Sequence, residues 1–114
     1  MSRRVVAVVD DMFFASKIRA VAEAVGVEVS FPRSKEALIE KAREAQLIVV
    51  DLHNQRFDPV DVAQELRGIR MVGFFSHVES ELQRTALAAG FDQVLPRSVF
   101  VRDLPKILAA DYTD

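Results

Sequence analysis

The sequence predicts an α/β protein in which helices cover both faces of a parallel β-sheet. Short apolar runs alternate with segments of helical periodicity along the whole chain, an order typical of repeated β-α units. Three of the runs are continuously apolar rather than alternating, as expected for strands that are buried on both faces. The same three runs end on polar side chains, and ligands of such sheets collect at the carboxyl ends of the strands.

The first half of the chain contains three predicted strands and two predicted helices. Apolar residues spaced four, three and four apart follow the first strand and predict a helix, which Gly26 is suited to end. Pro32 ends the second strand, and Ser34 is suited to cap the next helix. The predicted elements are strand Arg4–Val9, a helix with Phe14 to Val25 on its buried face, strand Val27–Phe31, helix Lys35–Ala45 and strand Leu47–Val50.

The second half begins with a polar segment, Leu52–Asp58, which is predicted to be a loop. Asp58 followed by Pro59 is typical of a helix N-cap with proline at the first helical position. Gly90 is suited to end the longer helix that follows the fourth strand. The predicted elements are helix Val60–Leu66, strand Met71–Phe75, helix His77–Ala89, strand Gln93–Leu95 and helix Val101–Ala110.

Five strands alternating with five helices favour a flavodoxin-like three-layer sandwich with the strand order 2-1-3-4-5. Right-handed crossovers leave few other topologies. In this order the first and third strands are neighbours. Asp10 and Asp11 follow the first strand, Asp51 follows the third and Ser76 follows the fourth. The predicted topology therefore brings the three carboxylates and the hydroxyl into one crevice.

Carboxylates that lie this close together repel one another unless a cation joins them. Carboxylate oxygens, with retained waters, are the ligands that Mg²⁺ prefers. The residues at the strand ends therefore predict a Mg²⁺ site and phosphoryl chemistry, with Asp10, Asp11 and Asp51 as the candidate acids.

Length and composition exclude several other classes of protein. The 114 residues are enough for one domain with a hydrophobic core, and 50% of them are hydrophobic. A net charge of −2 gives no general attraction to nucleic acid or to an anionic membrane. No apolar stretch approaches the ~18 residues of a membrane span. The chain has no cysteine, which excludes disulfides and thiol chemistry. We expect a cytoplasmic domain that spans residues 1–114.

In these features the chain resembles a two-component response regulator receiver domain (CheY-like) over nearly its whole length. The acidic pair after the first strand, the single acid after the third, the hydroxyl after the fourth and an alanine–glycine stretch before the fifth all match the family. The matching segments read VVAVVDD, LIVVDL, FFS and AAGFDQVLPRS.

The resemblance assigns a role to each candidate site residue. Asp51 would be the phospho-acceptor, supplied by a histidine kinase or a phosphotransfer protein. Mg²⁺ would be held by Asp11, Asp51 and the main-chain carbonyl of His53, with Asp10 bound directly or through water. Ser76 would donate a hydrogen bond to a phosphoryl oxygen.

The chain departs from the family pattern near the fifth strand. Arg97 stands at the lysine position, and a guanidinium is not a conservative replacement at a tight phosphate site. Arg97 could also be a surface cation that only neutralises the acids. Ser98 replaces a proline that often follows a cis peptide, so we expect a trans bond there. Val94 replaces an aromatic side chain that moves on activation, and Phe100 is a candidate to take over that movement.

The sequence therefore predicts a single-domain receiver without an output domain, which signals by contact with a downstream protein. It would not be an enzyme beyond self-phosphorylation and autodephosphorylation at Asp51. The family's usual partner surface corresponds to the fourth helix, fifth strand and fifth helix, which could also support a homodimer.

The main alternative is a pseudo-receiver that binds partners without being phosphorylated. Arg97, Val94 and the altered loop after Asp51 favour it. A small metal-dependent phosphohydrolase with Asp51 as nucleophile is a third hypothesis. A fourth is a flavodoxin-like redox carrier, which is disfavoured because no strand is followed by a glycine- or hydroxyl-rich phosphate loop. A separate interpretation of His53 and His77 is that they bind a transition metal together with the aspartates, because imidazole suits such ions.

Overall fold

The computed structural model describes residues 3–76 and 80–109, and these form a parallel sheet between two layers of helices. The strands are β1 (Arg3–Val8), β2 (Val27–Ser30), β3 (Leu47–Asp51), β4 (Arg70–Phe75) and β5 (Gln93–Pro96). The helices within the described ranges are α1 (Met12–Val25), α2 (Lys35–Ala42), α3 (Pro59–Glu65), α4 (Ser80–Ala89), α5 (Arg97–Arg102) and α6 (Leu104–Ala109).

The sheet has the order β2-β1-β3-β4-β5, with every neighbouring pair parallel. The predicted fold class and strand order are therefore confirmed. The register pairs Val8 of β1 with Val50 of β3, and Asp51 of β3 with Phe74 of β4. Chain segments that leave these three strands consequently start beside one another at the carboxyl edge of the sheet.

Alternate residues of the central strands pack into two separate cores, one on each face of the sheet. The first core joins the sheet to α1, α5 and α6, and the second joins it to α2, α3 and α4. All four residues of Leu47–Val50 are fully buried, which explains why this strand lacks polar alternation. Burial on both faces thus accounts for the continuous apolar runs of the sequence.

Side-chain caps begin the first three helices. Asp11 Oδ1 accepts hydrogen bonds from the main-chain N–H groups of Phe13 and Phe14, at 2.9 and 3.2 Å. Ser34 and Asp58 cap α2 and α3, as predicted, and Pro59 is the first residue of α3. Gly26, which ends α1, has a φ of 76°, a backbone conformation that favours glycine.

The end of the chain differs from the prediction, since the described residues contain six helices rather than five. The single predicted helix, Val101–Ala110, is replaced by α5 and α6, which are separated at Asp103. Pro105 explains the break, because proline lacks an N–H and its ring clashes inside a helix, so it is placed in the first turn of α6. Ala110, the predicted last residue, lies outside the described residues.

The remaining boundaries agree closely with the predictions. The start of the fourth helix, predicted at His77, lies outside the described residues, and α4 is described from Ser80. The described peptide bonds are all trans, including Arg97–Ser98 as expected. In residues 3–76 and 80–109, the helices are too short or too polar to cross a membrane.

Candidate functional site

The carboxyl edge of the sheet brings together the side chains that follow β1, β3 and β4. Asp51 is the last residue of β3, and Asp10 and Asp11 follow the neighbouring strand β1. The charges of Asp10 and Asp51 lie close enough to influence each other. Ser76 follows β4 and is exposed. The topology thus places the predicted acids and the hydroxyl at one edge of the protein.

Asp51 is half-buried, and one of its carboxylate oxygens is already engaged. Oδ1 accepts a hydrogen bond from the main-chain N–H of His53 at 2.9 Å. Burial raises the pKa of the Asp51 carboxyl, and the nearby charge of Asp10 acts in the same direction. The His53 N–H and the positive charge of Arg97 oppose this rise in pKa. Within residues 3–76 and 80–109 no hydrogen bond reaches the other oxygen, Oδ2, which leaves this atom for chemistry.

We expect Asp51→Asn to raise the free energy of unfolding at pH 7. A raised folded-state pKa means that the ionised carboxylate disfavours folding, and this penalty disappears as the pH falls through that pKa. Asparagine carries no charge and keeps an oxygen for the His53 N–H. The difference from wild type should therefore be largest at neutral pH and shrink towards pH ~4, near the pKa of an unperturbed aspartate.

Urea denaturation at a series of pH values would measure this difference. Asp61→Asn, on the exposed first turn of α3, controls for the loss of one negative charge. A stability difference between Asp51→Asn and wild type that stays constant from pH 4 to pH 8 would contradict the expectation.

Asp10 is held by the loop that follows β3. Its Oδ2 accepts a hydrogen bond from the main-chain N–H of Gln55 at 2.8 Å. Its Oδ1 lies 3.6 Å from the Nε atom of Arg56. Both oxygens of Asp10 are therefore engaged by two consecutive loop residues. This arrangement was not predicted, because a polar loop sequence does not indicate which side chains will fold back over the sheet edge.

Asp11 is divided between a structural role and a charge pair. Its Oδ1 caps α1, and its Oδ2 lies 3.8 Å from Nη2 of Arg97. The guanidinium of Arg97 also lies over the ring of Phe14, 4.2 Å from the ring centroid, which is a cation–π contact. Arg97 therefore belongs to the site as a cation, and it is the first residue of α5.

Phe100, the candidate for the activation movement, and Val94, which replaces the usual aromatic residue, both lie away from the surface of the site. Phe100 is fully buried and stacks on Phe74 with ring centroids 4.4 Å apart. Val94 is half-buried and packs against the opposite core, beneath α2, α3 and α4. Phe100 therefore contributes to the core, and its ring is not placed to turn outwards. His77 lies outside the described residues.

The side chains at this edge are of the type that binds a divalent cation, but they do not form a complete set of ligands. Within 3–76 and 80–109, no three His, Asp or Glu side chains are grouped closely enough to hold a metal ion as they stand. Mg²⁺ commonly takes one or two protein carboxylates and fills its remaining positions with water and phosphate oxygens. Asp10 and Asp51 could supply two such carboxylates, but Asp10 would first have to give up its contact with Arg56. Asp11 would likewise have to give up its contact with Arg97.

Solved structures of high similarity are response regulators. A response regulator from Hahella chejuensis has a TM-score of 0.81 and 19% sequence identity, covering 98% of this chain and 96% of that one. A CheY-like receiver domain protein from Methanospirillum hungatei JF-1 has a TM-score of 0.78 and 20% identity, covering 94% and 90%.

A third similar structure is a response regulator protein from Burkholderia pseudomallei with a phosphorylated aspartic acid, a calcium ion and citrate. Its TM-score is 0.75 at 17% identity, covering 96% of this chain and 68% of that one. No protein-family model and no curated protein sequence matches the chain. At these identities the likeness establishes that the chain has the fold of receiver domains.

Proposed function

We propose that this protein is a phosphorelay receiver that accepts a phosphoryl group on Asp51 and signals by contact with another protein. The main observation behind this proposal is the position of Asp51, which is half-buried at the end of the central strand β3. Asp10, which follows the neighbouring strand β1, lies close enough for its charge to act on Asp51. The receiver fold of the chain supports the same function. The donor would be a histidine kinase or a phosphotransfer protein, and the setting cytoplasmic.

The transfer requires little covalent chemistry from the protein. Asp51 Oδ2 forms a bond to phosphorus while the phosphorus–nitrogen bond of a donor phosphohistidine breaks, and the released imidazole nitrogen takes up a proton. The His53 N–H holds Oδ1 and orients the carboxylate. The protein otherwise contributes by positioning the carboxylate and the phosphoryl group and by neutralising the charge of the phosphoryl oxygens. Ser76, exposed at the end of β4, would donate a hydrogen bond to a phosphoryl oxygen.

Mg²⁺ is the cation proposed for the site. Asp10, Asp51 and the main-chain carbonyl of His53 would hold it, together with Asp11 if that side chain exchanges Arg97 for the metal. Bound Mg²⁺ supplies positive charge against the phosphoryl oxygens. Arg97 offers a second positive charge, whose influence already reaches Asp51.

The output surface would be formed by α4, β5 and the two last helices. Leu87 of α4 is half-exposed, and large apolar side chains in such positions often contact a partner. The same face could support a homodimer. We expect no turnover of other substrates, only phosphorylation and slow dephosphorylation of Asp51.

Phosphorylation by acetyl phosphate tests the proposal. We expect intact-mass measurement to show one phosphoryl adduct on the wild-type protein in Mg²⁺, and none on Asp51→Asn or in chelator. Asp61→Asn should retain the adduct, because this exposed acid in the first turn of α3 is not among the groups that contact Asp10, Asp11 or Asp51 in the hydrogen bonds and ion pairs given above. An adduct that persists on Asp51→Asn would move the acceptor to another residue and contradict the assignment.

A second candidate function is a receiver-fold interaction module that is not phosphorylated. This candidate is supported by the arginines that already pair with two of the acids, Arg56 with Asp10 and Arg97 with Asp11. In such a module these cations would take the place of the metal. Absence of any adduct on the wild type, together with no Mg²⁺-dependent change in its amide spectrum, would support this candidate over the first.

A further inference from the structure

Arg56 connects the acidic site with the segment between β2 and α2. Its Nε atom lies 3.6 Å from Asp10 Oδ1, and its Nη1 donates a hydrogen bond to the main-chain carbonyl of Arg33 at 3.2 Å. Arg33 lies just before Ser34, the cap of α2. The guanidinium of Arg56 therefore connects Asp10, a candidate cation ligand, with the start of α2.

The position of Arg56 is set by the acceptor strand. The side-chain Nδ2 of Asn54 donates to the main-chain carbonyl of Asp51 at 2.8 Å. The Oδ1 of Asn54 accepts from the N–H groups of Arg56 and Phe57, at 3.0 and 2.7 Å. Because Asn54 fastens the loop to β3, the Arg56 side chain is directed across the site towards Asp10.

The pair between Arg56 and Asp10 is suited to being exchanged. The two side chains are 41% and 36% exposed, and a 3.6 Å separation is long for a charged hydrogen bond. Exposed pairs of this kind are weak and screened by salt. A divalent cation, with twice the charge and a strong preference for carboxylate oxygen, can replace such a partner.

We propose that Arg56 is a tethered counter-ion that occupies Asp10 in the metal-free protein and is released when a divalent cation binds. This inference rests on the metal site of the proposed function. Nε and Nη1 belong to one rigid, planar guanidinium, so a movement that carries Arg56 away from Asp10 also breaks the hydrogen bond of Nη1 to the Arg33 carbonyl. Binding of the cation is thereby communicated to the β2–α2 segment, away from the α4–β5 face.

The release alters a defined groove between α2 and α3. This groove has a volume of about 380 Å³, and Arg33, Ser34 and Arg56 lie along it with Phe57 and Leu38. Arg56 thus pairs with Asp10 and also forms part of the wall of this groove. Its movement changes the charge and shape of the groove without any rearrangement of the buried core.

Titration of the full chain with MgCl₂, followed by amide NMR, tests this role. Arg56→Gln removes the charge from an exposed side chain and should bind Mg²⁺ about fivefold more tightly than wild type, because no internal cation competes for Asp10. Arg67→Gln removes an equivalent charge from an exposed site past the end of α3 and should leave the Mg²⁺ affinity unchanged. The amides of Ser34 and Lys35 should respond to Mg²⁺ in wild type but not in Arg56→Gln.

The possible failures are distinguishable. Equal Mg²⁺ affinity of wild type and Arg56→Gln, or a β2–α2 segment that ignores Mg²⁺ in wild type, would overturn the role of Arg56 and leave the receiver proposal standing. Absence of Mg²⁺ binding to both proteins would overturn the metal site together with this inference. Binding to Arg56→Gln alone would be its strongest support.

Discussion

Phe100→Ala is expected to lower the free energy of unfolding by about 3–5 kcal/mol. Phe100 is fully buried, stacks on Phe74 at 4.4 Å between centroids, and has Phe14 at 5.9 Å. The rings of Phe14, Phe74 and Phe100 form one aromatic cluster. Alanine at position 100 would remove one of the three rings and leave a cavity between the sheet and its helices. Chemical denaturation in urea, with the slope compared between proteins, measures the loss directly.

Phe13→Ala is the matched control for this change. Phe13 is 90% exposed on α1, so the same substitution removes almost no buried surface. Its effect should stay within about 0.5 kcal/mol. Similar losses for the two variants would contradict the structure of this core.

The Phe100 variant also bears on the site. Phe14 packs against Phe100 on one side and carries the Arg97 guanidinium 4.2 Å from its ring centroid. A cavity at Phe100 therefore loosens the support of Arg97 and, through it, the pair with Asp11. The aromatic cluster links the stability of the core to the arrangement of the acids.

Gly73→Val is expected to lower the free energy of unfolding by about 2 kcal/mol, because a side chain at this position would crowd Leu52 and Phe91 in the core. A Cβ atom at this position would lie 3.0 Å from Leu52 Cδ2 and 3.1 Å from Phe91 Cδ2. Valine would otherwise suit a strand, so the loss measures the crowding in β4. Thermal and urea unfolding both report it.

A double-mutant cycle with Leu52→Ala identifies the source of the loss. Removing the Leu52 side chain opens space next to position 73, so Gly73→Val should cost less in that background than in wild type. Additive losses would contradict the proposed crowding. Leu52 directly follows Asp51, and the same clash would therefore also disturb the acceptor position.

Most of the fold could be predicted from local pattern. The runs that became β1, β3 and β4 are apolar without alternation because both faces of each strand are buried. Right-handed connections then restrict the order of parallel strands. Ser34 and Asp58 act as caps at the predicted places, since capping depends only on residues within one helical turn.

The last helices were predicted less well, because two local signals competed. The apolar spacing of Val101, Leu104 and Leu108 favoured one helix, whereas Pro105 can be accommodated only in a first turn. The structure resolves the competition by ending α5 at Arg102 and starting α6 at Leu104. Independently of this break, α5 begins at Arg97, before the predicted start at Val101, and Arg97 lies beside Asp11.

The sequence by itself determined which strands end in acids and, through the strand order, that Asp10, Asp11 and Asp51 share one edge of the sheet. Only the tertiary structure decided the partner of each acid: Arg56 and the Gln55 N–H for Asp10, Arg97 for Asp11, the His53 N–H for Asp51. Burial repeats with the period of a strand or helix, so it can be predicted from the sequence. Charge pairs depend on how loops fold back over the sheet edge, and the conformation of a loop leaves no periodic pattern in the sequence.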